Sequence, residues 1–166
     1  MFKYYFKYKL QVITLIKLNN TTLKKKLNQI NTNPQMKEKY FSKWHTIENF
    51  LHSNVGLTIA AISPQGSLPK GTATRKSDLD VIFCTSPNKN KKTTLNLILQ
   101  KAKSAFGKVA KNKLSKKAVH IDFAKPKCNI DVVYLTKAEF KKTSKDMKSI
   151  KKISQLQKKS IILSKY

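Results

Sequence analysis

Gly66–Phe83 reads GSLPKGTATRKSDLDVIF, and the order of residue types in that stretch decides the fold. It opens on a Gly-Ser pair in a small, polar segment and closes on Asp78 and Asp80, two apart in an otherwise apolar run. A strand alternates faces with period two, so both carboxylates take one face while Leu79, Val81 and Phe83 take the other. Carboxylates side by side repel each other and are costly to bury. A divalent cation between them removes that cost, and hard cations such as Mg²⁺ prefer carboxylate oxygens. Gly66 and Gly71 let backbone N–H groups approach an anion closely, as phosphate-cradling loops require. A loop for phosphates beside a seat for metals predicts a nucleotide site.

One residue longer, the string QGSLPKGTATRKSDLDVIF resembles the signature of the DNA polymerase beta-like nucleotidyltransferase superfamily. It is most similar to the branch that holds oligoadenylate synthetases, cyclic-oligonucleotide synthases and CCA-adding enzymes. That branch needs a third carboxylate on a later strand, in a context like IDVVP. Ile130-Asp131-Val132-Val133-Tyr134 fits it, except that Tyr134 stands where proline is common. A Gly-Ser pair or an Asp-x-Asp alone is weak; all three parts in order and in context are specific.

The resemblance implies an α+β, two-layer nucleotidyltransferase fold, with a mixed β-sheet flanked by helices and the site on the sheet's open edge. It implies that Asp78 and Asp80 hold two Mg²⁺ (or Mn²⁺) ions at the ~3.5–4 Å separation of two-metal sites. Asp131 would share one of them and act as general base toward an acceptor hydroxyl. Gly66 and Ser67 would hold the β- and γ-phosphates of a nucleoside triphosphate, with ATP the expected one. Lys70, Thr72 and Arg75 lie in the same loop and would add charge-assisted contacts, although exposed loop residues are commonly just solvated. The resembling enzymes continue into a helical domain that grips base and triphosphate. The residues after Leu135 are too few for one, so a protein partner supplying it is expected.

Composition points the same way. The 166 residues suit one domain and contain 35 Lys and Arg against 8 Asp and Glu, a formal net charge of +27. Such an excess attracts polyanions, RNA and DNA included, though it carries no sequence readout. The competing reading of the lysines is compositional bias, since Asn and Ile are abundant too. The acids say more: three of the eight are Asp78, Asp80 and Asp131, and Asp122 lies in a neighbouring strand pattern. Cys84 and Cys128 lack metal-ligand spacing and read as free, half-buried thiols of a reducing, intracellular compartment, cytoplasmic or nuclear. His45, His52 and His120 are scattered, suggest no zinc site, and each reads as structural.

Residues 1–33 form a basic N-terminal extension whose apolar core, Leu10–Ile16, is too short for a transmembrane span and lacks a cleavage site. No membrane partner is expected. The nucleotidyltransferase-type domain then covers 34–140, and 141–166 is a Lys-rich helix or tail. Asn33-Pro34 predicts a helix start, with Met36, Tyr40, Trp44, Ile47 and Leu51 as its buried stripe and Val55-Gly56 as its end. Leu57–Ile62 predicts a first strand, Ser63–Ser77 a loop, and Asp78–Cys84 a second strand. Leu95, Ile98, Leu99, Ala102 and Phe106 mark a second helix closed by Gly107. The lysines between Ser86 and Ala118 form either a solvated helix face or one wall of a polynucleotide groove. Ala118–Phe123 and Cys128–Leu135 predict an antiparallel hairpin around Lys125-Pro126-Lys127, with His120 and Asp122 on one side and Asp131 on the returning strand.

Three functional classes follow. The first is an enzyme moving a nucleoside monophosphate from a triphosphate to a hydroxyl of a nucleotide or RNA. The second is a partner-dependent or inactive nucleotide- or RNA-binding module of the same fold, antitoxin-type minimal nucleotidyltransferases included. The third, a purely basic nucleic-acid binder, leaves the three aspartates without a role.

Overall fold

The computed structural model describes residues 34–70, 73, 77–125, 127–151, 157–158 and 160–161. The N-terminal extension, Gly71, Thr72, Arg75 and the turn residue Pro126 lie outside the described residues.

Helix α1 (Pro34–Ser53) carries Tyr40, Trp44, Ile47 and Leu51 at helical spacing, and all four are buried. Gly56, at φ +68°, turns the chain out of it, a backbone conformation that glycine adopts without a Cβ penalty. Strand β1 (Ile59–Gln65) follows, then a single helical turn, α2 (Ser67–Lys70), and strand β2 (Leu79–Thr85). The first strand therefore runs three residues past its predicted end, and helix replaces part of the predicted loop. Pro64 sits inside β1 without breaking the sheet because β1 is an edge strand.

Helix α3 (Lys91–Phe106) starts on Asn90, whose side-chain oxygen accepts from the Thr93 N–H at 3.1 Å. Gly107 closes it as expected, but in right-handed conformation, its N–H donating to the Lys103 carbonyl. Strand β3 (Ala110–Leu114) lies in the Lys-rich stretch between Ser86 and Ala118, where no strand is expected from the sequence. Its AKNKL carries too few apolar or β-branched residues to announce a strand; pairing with the next strand makes it one. Strands β4 (Val119–Phe123) and β5 (Cys128–Tyr134) form the predicted antiparallel hairpin. Helix α4 (Lys137–Lys151) begins with a capping box: the Thr136 N–H donates to Glu139 Oε2 at 2.8 Å, and the Glu139 N–H to Thr136 Oγ1 at 3.3 Å.

The sheet order is β1-β2-β5-β4-β3, with β2 and β5 parallel and every other neighbour antiparallel. It is a mixed sheet with helices, α+β as expected. One face is apolar: Leu79, Val81 and Phe83 of β2, Ile130, Val132 and Tyr134 of β5, and Val119, Ile121 and Phe123 of β4 are buried in a single cluster with α1 and α3. Phe50 of α1 meets Phe106 of α3 at 5.0 Å between ring centroids, and Phe106 meets Phe123 at 5.4 Å. Each such side chain contributes about 1.5–3 kcal/mol by leaving water, enough to fix which face looks inward. Both cysteines are free as expected, but fully buried rather than half-buried. Burial pushes the Cys128 thiol up to about 11, keeping it protonated and inert. Among the described residues no helix is long and apolar enough to cross a membrane.

Candidate functional site

The second face of the sheet buries Ile82 and Cys84 toward one end and is polar toward the other, where register alone assembles the polar set. Gln65 of β1 is the Cα partner of Asp80 on β2, Asp80 of Asp131 on β5, Asp131 of His120 on β4, and His120 of Lys113 on β3. Directly opposed residues share a face, so one row of five side chains crosses the whole sheet. A second row runs beside it: Asn129 opposes Asp122, and Asp122 opposes Lys111. Asp78, immediately before β2, joins this group by accepting a hydrogen bond from the Asn129 side chain.

Two contacts place the entrance to β2. Tyr40 of α1 donates its hydroxyl to the Ser77 carbonyl at 2.7 Å, pinning the backbone one residue before Asp78. Gly66 stands at φ +80°, and a Cβ there would overlap Asp80 Oδ2. The residue must therefore be glycine twice over, for its backbone conformation and for the carboxylate lying against it. Ser67 opens α2, and Lys70 at its end is close enough to Asp80 to favour its ionised form.

The carboxylates burden one another. Burial raises the pKa of Asp80, and the charges of Asp131 and Asp78 add to it. Asp78 is raised as well, first by desolvation and then by Asp131, with the Asn129 hydrogen bond working the other way. Although Asp78 is exposed to solvent, neighbouring protein still strips part of its hydration. Asp131 is held differently: His120 Nδ1 lies 2.6 Å from its Oδ1, the ring N–H donating to the carboxylate.

The residues predicted for the site thus divide. Asp80, Asp131, Gly66 and Lys70 come together on one face, Asp78 stands at its rim, and Ser67 begins the turn beside it. His120 was missed as a site residue. The signal was present, since a four-residue turn after Phe123 pairs positions summing to 251 and so sets His120 opposite Asp131. Tyr134, the departure from the expected proline, has a structural explanation. It is buried, accepts the Lys89 N–H at 2.7 Å and lies 3.2 Å from Thr85 Oγ1, tying the loop after β2 to β5.

Oxygen-only donors that raise one another's pKa are the kind of set a hard divalent cation relieves. Among the described residues no three His, Cys, Asp or Glu side chains are gathered tightly enough to hold an ion as they stand. The donors fit a Mg²⁺ site in type and strand position. An apolar groove of about 310 Å³ adjoins the site at Lys70, lined among others by Tyr40, Phe41, Trp44 and Leu68. The aspartates do not line it.

Comparison with known proteins agrees with this geometry. The family described as "Nucleotidyltransferase domain" matches residues 45–162. No curated protein matches the chain. Among solved structures, the Cid1 poly(U) polymerase with Mg 3′-dATP superposes at a TM-score of 0.68 with 16% identity, over 87% of this chain and 45% of that one. CdnC of E. coli MS115-1 with ATP superposes at 0.56 with 18% identity, over 72% of this chain and 41% of that one. The GLD-2/RNP-8 complex gives 0.60 with 14% identity, over 79% and 41%. The chain spans less than half the length of each. At these identities the likeness establishes the fold, and the matched family covers most of the chain, from the second half of α1 past the end of α4. The chain belongs to the nucleotidyltransferase domain family.

Proposed function

We propose that this chain transfers a nucleoside monophosphate from a nucleoside triphosphate, ATP foremost, to a hydroxyl of a nucleotide or RNA. The observation that carries this reading is the register that makes Asp80 and Asp131 partners on parallel strands, with Gly66 against Asp80. Asp78, Asp80 and Asp131 would hold the divalent cations, Mg²⁺ or Mn²⁺. When bound, these supply charge neutralisation for the triphosphate and a lowered pKa for the attacking hydroxyl.

The chain's own residues account for the rest. The backbone N–H groups following Gly66, the Ser67 hydroxyl and the Lys70 ammonium bind the β- and γ-phosphates at the β1 side of Asp80. The acceptor approaches from the Asp131 side. Its hydroxyl oxygen forms the new bond to the α-phosphorus, the bridging oxygen to the β-phosphorus departs with pyrophosphate, and the hydroxyl proton goes to a carboxylate. His120 occupies Oδ1 of Asp131, so Oδ2 is the atom free to take that proton.

Asp78→Ala tests the assignment. It should abolish transfer of labelled nucleotide and weaken Mg²⁺-dependent nucleotide binding while circular dichroism stays that of the wild type. Mg²⁺-dependent transfer surviving in Asp78→Ala would overturn it. A second reading draws on the open carboxylate set: the same fold acting as a nucleotide- or RNA-binding module that closes its site only with a protein partner. Metal-dependent nucleotide binding without transfer by the isolated chain would select it.

A further inference from the structure

The lysines between Ser86 and Ala118 separate once the sheet is formed. Those of α3 stand on the apolar side: α3 buries Leu95, Ile98, Ala102 and Phe106 against the core, and Lys101 and Lys103 are exposed on a helix with the sheet between it and the carboxylates. Lys111 and Lys113 of β3 lie on the carboxylate side, Lys113 opposite His120 and Lys111 opposite Asp122. Both are exposed on an edge strand. Neither lysine forms an ion pair with a carboxylate among the described residues.

We propose that Lys111 and Lys113 seat the backbone phosphates of a single-stranded polynucleotide whose terminal hydroxyl reaches Asp131. This names the acceptor class and rests on the nucleotidyl-transfer reading. The polar face has two ends. Its β1 end carries Gly66, Ser67 and Lys70, and its β3 end carries the two lysines, so triphosphate and acceptor approach Asp80 and Asp131 from opposite sides. Lys113 is two strands from Asp131, about 10 Å at the spacing of paired strands. That is about three stacked nucleotides at ~3.4 Å each. A nucleoside or nucleoside monophosphate held at Asp131 offers at most one phosphate to the two lysines, whereas an oligonucleotide offers one to each.

The test measures binding and transfer separately, using the full chain. A fluorescently labelled single-stranded RNA is titrated into wild type, into Lys111→Gln/Lys113→Gln, and into Lys101→Gln/Lys103→Gln, which removes equal charge from the apolar side. Two lost phosphate contacts should weaken binding by roughly tenfold and lower the slope of log affinity against log salt by about 1.4. The α3 variant should bind as wild type does. In transfer assays, wild-type KM for the acceptor should fall with chain length and level off beyond about three nucleotides. A parallel DNA series shows which sugar is accepted.

Equal losses in both variants, or none in either, would overturn the proposal, since the β3 lysines would then be bulk charge or an edge strand's guard against aggregation. Wild-type transfer at a KM independent of acceptor length would overturn it while leaving nucleotidyl transfer intact. RNA binding that depends on Lys111 and Lys113, in a chain that transfers nothing, would uphold the phosphate seat and sink the enzyme reading instead.

Discussion

Asp80 is the most constrained residue of the site, held by Gly66 on one side, Lys70 nearby and two carboxylates across the face. Its raised pKa means that the native state binds a proton more readily than the unfolded chain. Without metal, stability therefore falls as pH rises from the ordinary carboxylate value through the raised one. In a chelating buffer at neutral pH, Asp80→Asn should raise Tm by a few degrees, and the gap should close as both proteins are taken below pH 4. Saturating Mg²⁺ should reverse the order: a hundredfold excess over Kd stabilises wild type by about 2.7 kcal/mol and the variant far less. Thermal melts at both pH values, with and without Mg²⁺, check each arm. Unchanged Tm of wild type across the Mg²⁺ series would remove the carboxylates' role as cation ligands. Asp78, Asp80, Asp131 and Gly66 were legible as residues because their spacing encodes the chemistry. His120 was legible only through the register of the predicted hairpin, which sets it opposite Asp131 eleven residues away.

Strands β4 and β5 were legible from alternation, and α1 from its buried stripe, since each pattern is local and the core enforces it. β3 and the capping box at Thr136–Glu139 were not recovered. The first has a weak apolar pattern, and the second sits in a Lys-rich segment whose helical stripe is faint. The loop between β2 and α3 is organised by an element distant in sequence. Tyr134 at the end of β5 supplies the oxygen for the Lys89 N–H, and Thr85 adds to the network. Tyr134→Phe keeps the ring against Phe83, 5.3 Å between centroids, and removes only that oxygen. The orphaned N–H should cost about 1–3 kcal/mol, read as a lowered midpoint in urea with the m-value unchanged. A midpoint equal to wild type would show that water replaces the hydroxyl.

A net charge of +27 works against folding through self-repulsion. Ordinary salt shortens the Debye length to about 8–10 Å, so Tm should rise by several degrees between low and physiological ionic strength, while RNA affinity falls over the same range. Thermal melts and binding isotherms in one salt series measure both, and a Tm that falls with salt would show that attractive pairs outweigh the repulsion. The sequence by itself determined the main helices and strands, the placement of the aspartate motifs in strands, and a glycine at position 66. These are matters of neighbouring residues, because period, cap and steric fit act over a few positions. Only the tertiary structure decided which polar residues share a face. It turned Gln65, Asp80, Asp131, His120 and Lys113 into one row and put the α3 lysines behind the sheet. The physical reason is register: a shift of one residue in any pairing sends the polar set to the buried face, so the core selects the row from contacts far apart in sequence.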